Sequence, residues 1–190
     1  MSLDRESRGA LEARIAAALD AGQLDQAAHA TIAGYGPEIL GFLVAVQRDE
    51  ADARDVFSQF SEDLWRGLAK FRRESSMRTW SYKLAHHALV RFARDPYRRR
   101  GRRLVTEEYS ELVERVSSRM SHERASKQLE AAREALDAAE QALLVLRVDR
   151  KLAWDDIAEV MAVDGEPADS AALRKRFERI KQRLKKLVAS

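Results

Sequence analysis

Helical periodicity runs through almost the whole chain, and no stretch alternates apolar and polar residues with the period of two that a half-buried strand requires. Only three prolines (Pro37, Pro96, Pro167) and eight glycines interrupt it. The chain is therefore predicted to be all-α. A first helix is expected from Leu3 to Leu19, with Leu11, Ile15, Ala18 and Leu19 inward and Ala21-Gly22 closing it. A short one follows from Asp25 to Ala33. Gly34-Tyr35-Gly36 is expected to break it, and Pro37 to open the next helix, since a proline fits the first helical turn. That helix carries Ile39, Leu40, Phe42, Leu43 and Val46.

From Asp52 to Phe71 a further helix should bury Val56, Phe57, Phe60, Leu64, Leu68 and Phe71. Asp55, Ser58, Gln59, Glu62 and Arg66 then point the other way. Ser76 is placed to cap the next helix, which Pro96 ends. Residues 104–127 are polar with little to bury, which marks a linker. Leu129–Val148, Leu152–Val163 and Ser170–Val188 read as helices, the last two separated by the turn signal Asp164-Gly165-Glu166-Pro167. Two helices joined by a glycine-containing turn, the second strongly basic, fit a helix-turn-helix. The expected architecture is two small helical domains joined by a polar linker.

The net charge of +3 hides a segregated distribution. From Arg94 to Arg103 there are six Arg against one Asp, and from Ser170 to Ser190 eight Lys/Arg against Glu178 alone. The stretch Asp49–Asp63 instead holds six acids against Arg54. Basic blocks suit nucleic acid, and an acidic block suits a basic protein surface. In the helix after Ser76, Met77, Ser81, Leu84, Ala85, Ala88 and Phe92 share a packing face. Trp80, Lys83, His87, Arg91 and Arg94 form a second stripe, a stacking aromatic joined to cations, which grips a phosphate backbone and exposed bases. In the last helix Leu173, Phe177, Ile180, Leu184 and Leu187 recur in steps of four and three as a buried seam. Ala171, Arg174, Lys175, Glu178 and Arg179 are its candidate base readers, with Gln182 on the same side.

Several function classes are not supported. The chain has no cysteine, so it carries no disulfide or thiolate metal site. His29, His86, His87 and His122 form no spaced ligand set, and Asp155 and Asp156 are adjacent on a helix and do not face each other. There is no glycine-rich phosphate loop and no nucleophile–base set. Neither enzymatic activity, a metal nor a cofactor is expected. Trp65 and Trp154 read as core or domain-packing residues. The N-terminus lacks the apolar run of a signal peptide and no stretch approaches a membrane span, which predicts a cytoplasmic chain without membrane insertion.

Four segments, Ala51-Asp52-Ala53-Arg54-Asp55-Val56 through Leu64-Trp65, Met77-Arg78-Thr79-Trp80-Ser81-Tyr82-Lys83-Leu84-Ala85, Trp154-Asp155-Asp156-Ile157-Ala158-Glu159-Val160-Met161 and Leu173-Arg174-Lys175-Arg176-Phe177-Glu178-Arg179, together resemble the extracytoplasmic-function (group four) sigma factors of bacterial RNA polymerase. The resemblance divides the chain into an N-terminal helical extension (1–33), a unit like sigma region two (34–104), a linker (105–128) and a unit like region four (129–190). It implies that region two docks on the clamp helices of the β′ subunit through Asp55, Ser58, Gln59 and Glu62. Region two would also melt the −10 element through Trp80, Lys83, His87, Arg91 and Arg94. In the family the preceding loop, here Arg72-Arg73-Glu74-Ser75-Ser76, captures a flipped base, which makes Arg72, Arg73, Ser75 and Ser76 candidates as well. Region four would sit on the β flap and read the −35 element through Ala171, Arg174, Lys175, Glu178, Arg179 and Gln182.

The chain departs from the family pattern in places. Arg54 stands where Glu is usual and Ser58 where Gln is frequent, both on the docking helix. His87 and Arg91 replace the usual Asn and Asp of the melting helix, so a −10 base preference does not carry over. Arg54 should weaken docking by repulsion, and a phosphate on Ser58, or on Ser61 beside it, would restore negative charge. The expected partners are core polymerase and promoter DNA, with an anti-sigma factor or a Ser/Thr kinase as candidate regulators. The competing reading is a stand-alone helix-turn-helix regulator, with residues 1–127 as a dimerisation or ligand domain.

Overall fold

The computed structural model describes residues 5–94, 135–162 and 168–188, and all regular structure among them is helical. The helices are α1 (Arg5–Asp20), α2 (Leu24–Gln47), α3 (Glu50–Gly67), α4 (Met77–Arg94), α5 (Ala138–Leu144), α6 (Trp154–Val160) and α7 (Ser170–Val188). A 3₁₀ turn, Leu68–Lys70, follows α3, and a π-helical turn, Val145–Asp149, follows α5. The linker 105–128, Tyr97 to Arg103, Pro96, His122 and the turn Asp164–Pro167 lie outside the described residues.

Helix α2 is the hub, packing on α1, α3 and α4. It runs unbroken from Leu24 to Gln47 with Pro37 inside it, which corrects the expected break at Gly34 to Gly36. Proline removes one i→i−4 hydrogen bond and normally interrupts a helix. Here Ile32, Tyr35, Ile39, Leu40, Phe42 and Leu43 are buried on both sides of it, so tertiary packing outweighs the local defect. Gly34 has a different role from a breaker. A Cβ at this position would lie 2.3 Å from Leu11 Cδ2 and 2.9 Å from Cδ1, so the missing side chain lets α1 approach α2 closely.

The unbroken α2 also corrects the expectation that no stretch approaches a membrane span. By length and composition α2 is long and apolar enough to cross one, and 67% of its most apolar window is buried inside the protein. That burial is what a central core helix needs.

The helix ends follow local chemistry. Gly22 sits at φ 69° after α1, where glycine carries no Cβ penalty. Asp49 caps α3 by accepting from Asp52 N at 2.8 Å, and Ser76 caps α4 by accepting from Thr79 N at 3.0 Å. Helix α3 buries Val56, Phe57, Phe60 and Leu64 as its periodicity predicts, and Leu68 follows in the 3₁₀ turn, while Phe71 is only half-buried beyond that turn.

Of the expected helix Leu129–Val148, residues 129–134 lie outside the described residues, and the rest is not continuous. A turn occupies Ala135–Leu136, and Asp137 starts α5 with a capping box to Glu140. The following helix is shorter than Leu152–Val163, because Lys151 is left-handed (φ 54°) and Ala153 extended. Helix α7 buries Leu173, Phe177 and Ile180; Leu184 is half-buried and Leu187 is 48% exposed, so its seam fades toward the C-terminus.

Helix α5 packs on α2 and α6 packs on α4, so one continuous apolar cluster runs from Leu11 to Ile180. Arg48 ties the two halves together. It closes α2 in the left-handed conformation (φ 60°), and its guanidinium donates to Leu136 O at 2.9 Å and Gln141 Oε1 at 2.8 Å. Gln141 donates back to Ala45 O at 2.5 Å.

Candidate nucleic-acid interface

Helix α4 is anchored at its start by an acid from α1. Glu12 accepts from Met77 N and Arg78 N, each at 3.0 Å, and from the Tyr35 hydroxyl at 2.6 Å. A carboxylate there satisfies two of the unpaired N–H groups of a helix start and complements its dipole. One residue further, Arg78 is buried against Glu38 of α2 in a two-pronged pair of 2.7 and 3.1 Å. Burial works against the guanidinium charge, but Glu38 outweighs it and holds the Arg78 pKa above its ordinary value. Burial and the neighbouring Glu12 likewise push the Tyr35 hydroxyl up.

The packing face of α4 forms as expected at Met77, Ser81, Ala85, Ala88 and Phe92, with Leu84 only partly buried. The second stripe does not lie open along its length. Trp80 rests on Phe71 with ring centroids 4.7 Å apart and touches Gly67, where a Cβ would come within 3.0 Å of the indole. Lys83 Nζ lies 3.5 Å from Glu159 of α6. The His87 ring is hydrogen-bonded to the backbone of Ala162, and burial followed by Lys83 and Arg91 lowers its pKa despite that bond. Arg91 forms an ion pair with Asp63 of α3. Arg94 is exposed at the end of the helix.

In the preceding loop Arg72 and Arg73 are exposed. Arg73 is left-handed (φ 60°), and Asp20 of α1 holds its guanidinium at 2.7 Å. Ser75 donates to Glu159 at 3.1 Å, and the hydroxyls of Ser76 and Thr79 share a 2.9 Å hydrogen bond. Between this loop and α1 lies a groove of about 320 Å³, with Ala16, Leu19, Phe71, Arg73 and Met77 among its walls.

The acidic face of α3 stands beside this helix. Asp55, Val56, Ser58, Gln59 and Glu62 line a groove that α4 completes with Ala88, Arg91 and Phe92. Burial and then the neighbouring Asp52 raise the Asp55 pKa. Gln59 donates to Asp63 at 3.1 Å, and Glu62 lies 3.7 Å from Arg66. Arg91 therefore borders this face as well as the stripe. Ser58 is partly exposed and donates to the Arg54 carbonyl at 3.0 Å. Ser61 is fully buried, and its hydroxyl has no hydrogen-bond partner among the described residues. This corrects its candidacy for phosphorylation, since a kinase cannot reach it in this fold.

The segment that carries these two helices matches a known family. The sigma-70 region 2 family matches residues 31–101. RNA polymerase sigma factor YlaC of Bacillus subtilis (strain 168) is 26% identical over 150 residues, which cover 76% of this chain and 84% of that protein. Residues 31–101 therefore carry a sigma-70 region 2, in a chain that is similar to a sigma factor over most of its length.

Helix α7 presents Ala171, Arg174, Lys175, Glu178, Arg179 and Gln182 at the surface. Two of them already have partners: Arg174 lies over the Trp154 ring at 5.7 Å, and Glu178 pairs with Lys181 at 2.7 Å. Trp154 packs edge-on against Phe177 at 5.6 Å, as a domain-packing residue should. Trp65 does not fit that expectation, being 44% exposed on α3.

Sequence reasoning missed Glu12, Glu38, Arg48, Arg78, Asp156 and Glu159. A charge that is buried, like Glu38 and Arg78, or that pairs across two elements, like the others, has no signature of its own, because a heptad reading places every acid and base on the solvated face. The one available signal was that Arg78 falls beside Met77 and Ser81 on the inward side of its helix.

Proposed function

We propose that the chain is a sigma factor that directs core RNA polymerase to promoters by dividing the task between its two halves. Region two, around α3 and α4, docks on the β′ clamp through Asp55, Ser58, Gln59 and Glu62, and engages the −10 element. Arg72, Arg73, Ser75 and Ser76 supply the loop, and Trp80, Lys83, His87, Arg91 and Arg94 the helix face. The C-terminal helices act as region four on the β flap, with Ala171, Arg174, Lys175, Glu178, Arg179 and Gln182 facing the −35 duplex. The role is one of binding in the cytoplasm, and catalysis belongs to the polymerase.

The observation that carries this reading is the sigma-70 region 2 match across residues 31–101, the segment that joins an acidic helix face to an aromatic–cationic one. An acidic surface complements a basic protein partner. Aromatic rings with cations hold unpaired bases and their phosphates. A stand-alone regulator would not need the first of these. Run-off transcription with core polymerase tests the reading, because a palindrome-binding protein that leaves core polymerase inactive would refute it. Permanganate footprinting of Trp80→Ala with Lys83→Ala, alongside a thermal melt, tests the −10 assignment.

A further inference from the structure

Helix α1 lies before the segment that matches sigma-70 region 2, residues 31–101, yet it grips the loop 72–76 near both of its ends. The first turn of α4 leaves the backbone N–H groups of Met77, Arg78 and Thr79 without intrahelical partners. Ser76 Oγ takes the last of these at 3.0 Å. The other two go to α1, where Glu12 Oε2 accepts from Met77 N and Oε1 from Arg78 N, each at 3.0 Å. The same Oε1 accepts from the hydroxyl of Tyr35 at 2.6 Å, and Tyr35 is fully buried in α2. One carboxylate thus joins three helices at the point where the loop becomes α4.

About two turns further along α1, Asp20 lies 2.7 Å from Arg73 near the other end of the loop. Arg73 is left-handed at φ 60°, a conformation that a residue with a side chain keeps only where its surroundings hold it. Between the two acids, Ala16 and Leu19 wall the groove that Phe71 and Met77 close from the loop side. Neither acid is what seats α1 on the protein. The buried Leu11 and Ile15 do that, with Leu11 against Gly34 of α2. The acids instead reach from an anchored helix to the loop.

We propose that Glu12 and Asp20 of α1 are positioning residues for promoter opening, which hold the loop 72–76 and the first turn of α4 in one geometry before an unpaired base arrives. Ordering a loop at the moment of binding costs conformational freedom, and a loop ordered beforehand avoids that loss. The gain falls on the step in which the strand is captured. Docking on core polymerase, which uses the face of α3, does not draw on it. Glu12 carries the larger share, because its three hydrogen bonds are charge-assisted and partly buried. The Asp20–Arg73 pair is largely exposed and individually weak, so it restrains Arg73 without contributing much to folding.

The proposal rests on the reading of this loop and α4 as the −10 elements, and it can fail separately from that reading. Glu12→Ala, Glu12→Gln and Asp20→Asn are compared with the parent, each as the full chain on core polymerase with a promoter enriched by the holoenzyme. Opening is read from 2-aminopurine fluorescence in the −10 segment. It should slow by roughly five- to thirtyfold in Glu12→Ala, as expected for lost charge-assisted hydrogen bonds. Glutamine keeps one accepting oxygen, so Glu12→Gln should recover part of that loss. Asp20→Asn should slow opening by roughly two- to fourfold. Core-polymerase affinity should stay within about twofold of the parent in all three, since the docking face lies elsewhere. A template whose −10 segment is already mismatched removes the opening step, and the variants should transcribe from it as the parent does. A role confined to folding would instead lower core affinity and transcription from both templates in step, which overturns the proposal. So does a parental opening rate in a folded Glu12→Ala. If circular dichroism shows that Glu12→Ala does not fold, Asp20→Asn decides, and a parental rate there overturns the proposal. A parent that opens the promoter while the folded variants match it removes the positioning role alone. A parent that gives no transcript with core polymerase overturns the proposed function.

Discussion

Helices α4 and α7 are both amphipathic with cations along one flank, yet they meet opposite surroundings. On α4, Trp80 rests on Phe71, Lys83 and His87 meet α6 and its end, and Arg91 meets α3. On α7 the inner flank makes the protein contacts, with Arg176 lying 3.3 Å from Asp137 and Arg183 pairing with Glu140. Its outer flank, Lys175, Glu178, Arg179 and Gln182, faces solvent. On the function proposed, the helix that reads intact duplex is displayed while the helix that opens it is held inside protein contacts. The same composition yields a ready surface in one place and a masked one in the other. The difference lies in what packs on the second flank.

The largest expected effect tests how firmly α4 is embedded. Arg78→Ala or Glu38→Ala leaves one buried charge without its partner, and should cost about 3–5 kcal/mol in urea unfolding. Replacing both with apolar residues (Glu38→Leu with Arg78→Met) should recover most of it. A single-variant loss under about 1 kcal/mol would mean the pair is solvated, and the contrast with α7 would weaken. Acid should act on the same helix. Burial, followed by the neighbouring His87, lowers the His86 pKa to about 4 from an ordinary 6.5. The folded state thus prefers the neutral ring. Its stabilisation is complete above pH 6.5 and is lost as pH falls toward 4, about 3 kcal/mol in all. Thermal melts from pH 7.5 to 4.5 should show a steeper decline for the parent than for His86→Leu, and equal slopes would refute the assignment. Helix α7 has no histidine and gives no such difference.

How much of this was legible in the sequence depended on the range of the interaction. The all-α class, the span of α7, the Ser76 cap and the buried rows of α3 and α4 follow from periodicity and capping, which are local. The continuity of α2 was not legible, because Gly34 and Pro37 are breakers by local rules and only the approach of Leu11 gives Gly34 its use. The turn at Ala135–Leu136 was hidden because Asp137 reads as one more polar residue in a helical pattern, not as a cap. Of the candidate site, the residues could be named but their partners could not. Glu159 lies 84 positions from Ser75, and no spacing rule connects them.

A middle-sized effect sharpens the other side of the comparison. If the outer flank of α7 reads bases, Lys175→Ala and Arg179→Ala should each cost about 1–3 kcal/mol on promoters enriched with the holoenzyme, and less on random duplex. Competition binding at two salt concentrations measures both losses. Equal losses on the two DNAs, with a shallower salt dependence, would reassign these residues to phosphate contacts and leave the displayed face without sequence preference.

The smallest effect concerns the acidic face of α3, which borders the masked helix without being masked itself. Arg54 stands among acids, and its cation should oppose docking on a basic clamp surface. In the fold it reaches back to Glu50 at 2.6 Å, with both side chains more than half exposed. Its charge is thus already largely balanced by a neighbour and screened by water. Arg54→Glu should therefore tighten binding to core polymerase by only about 0.2–1 kcal/mol, the range of an exposed pair. Ser58 is the more sensitive position. Its side chain lines the groove with Asp55 and Glu62, and its bond to the Arg54 carbonyl is a weak i−4 contact. Ser58→Glu, standing in for a phosphate, should add to the Arg54→Glu gain, because the two charges enter at different points of one face. Ser61→Glu should instead unfold region two, since it drives a charge into the core. Core-polymerase titrations of the three variants separate the possibilities. If Arg54→Glu leaves affinity unchanged, the charge argument for this face is wrong; if only Ser58→Glu does so, phosphate control is lost and the docking face stands.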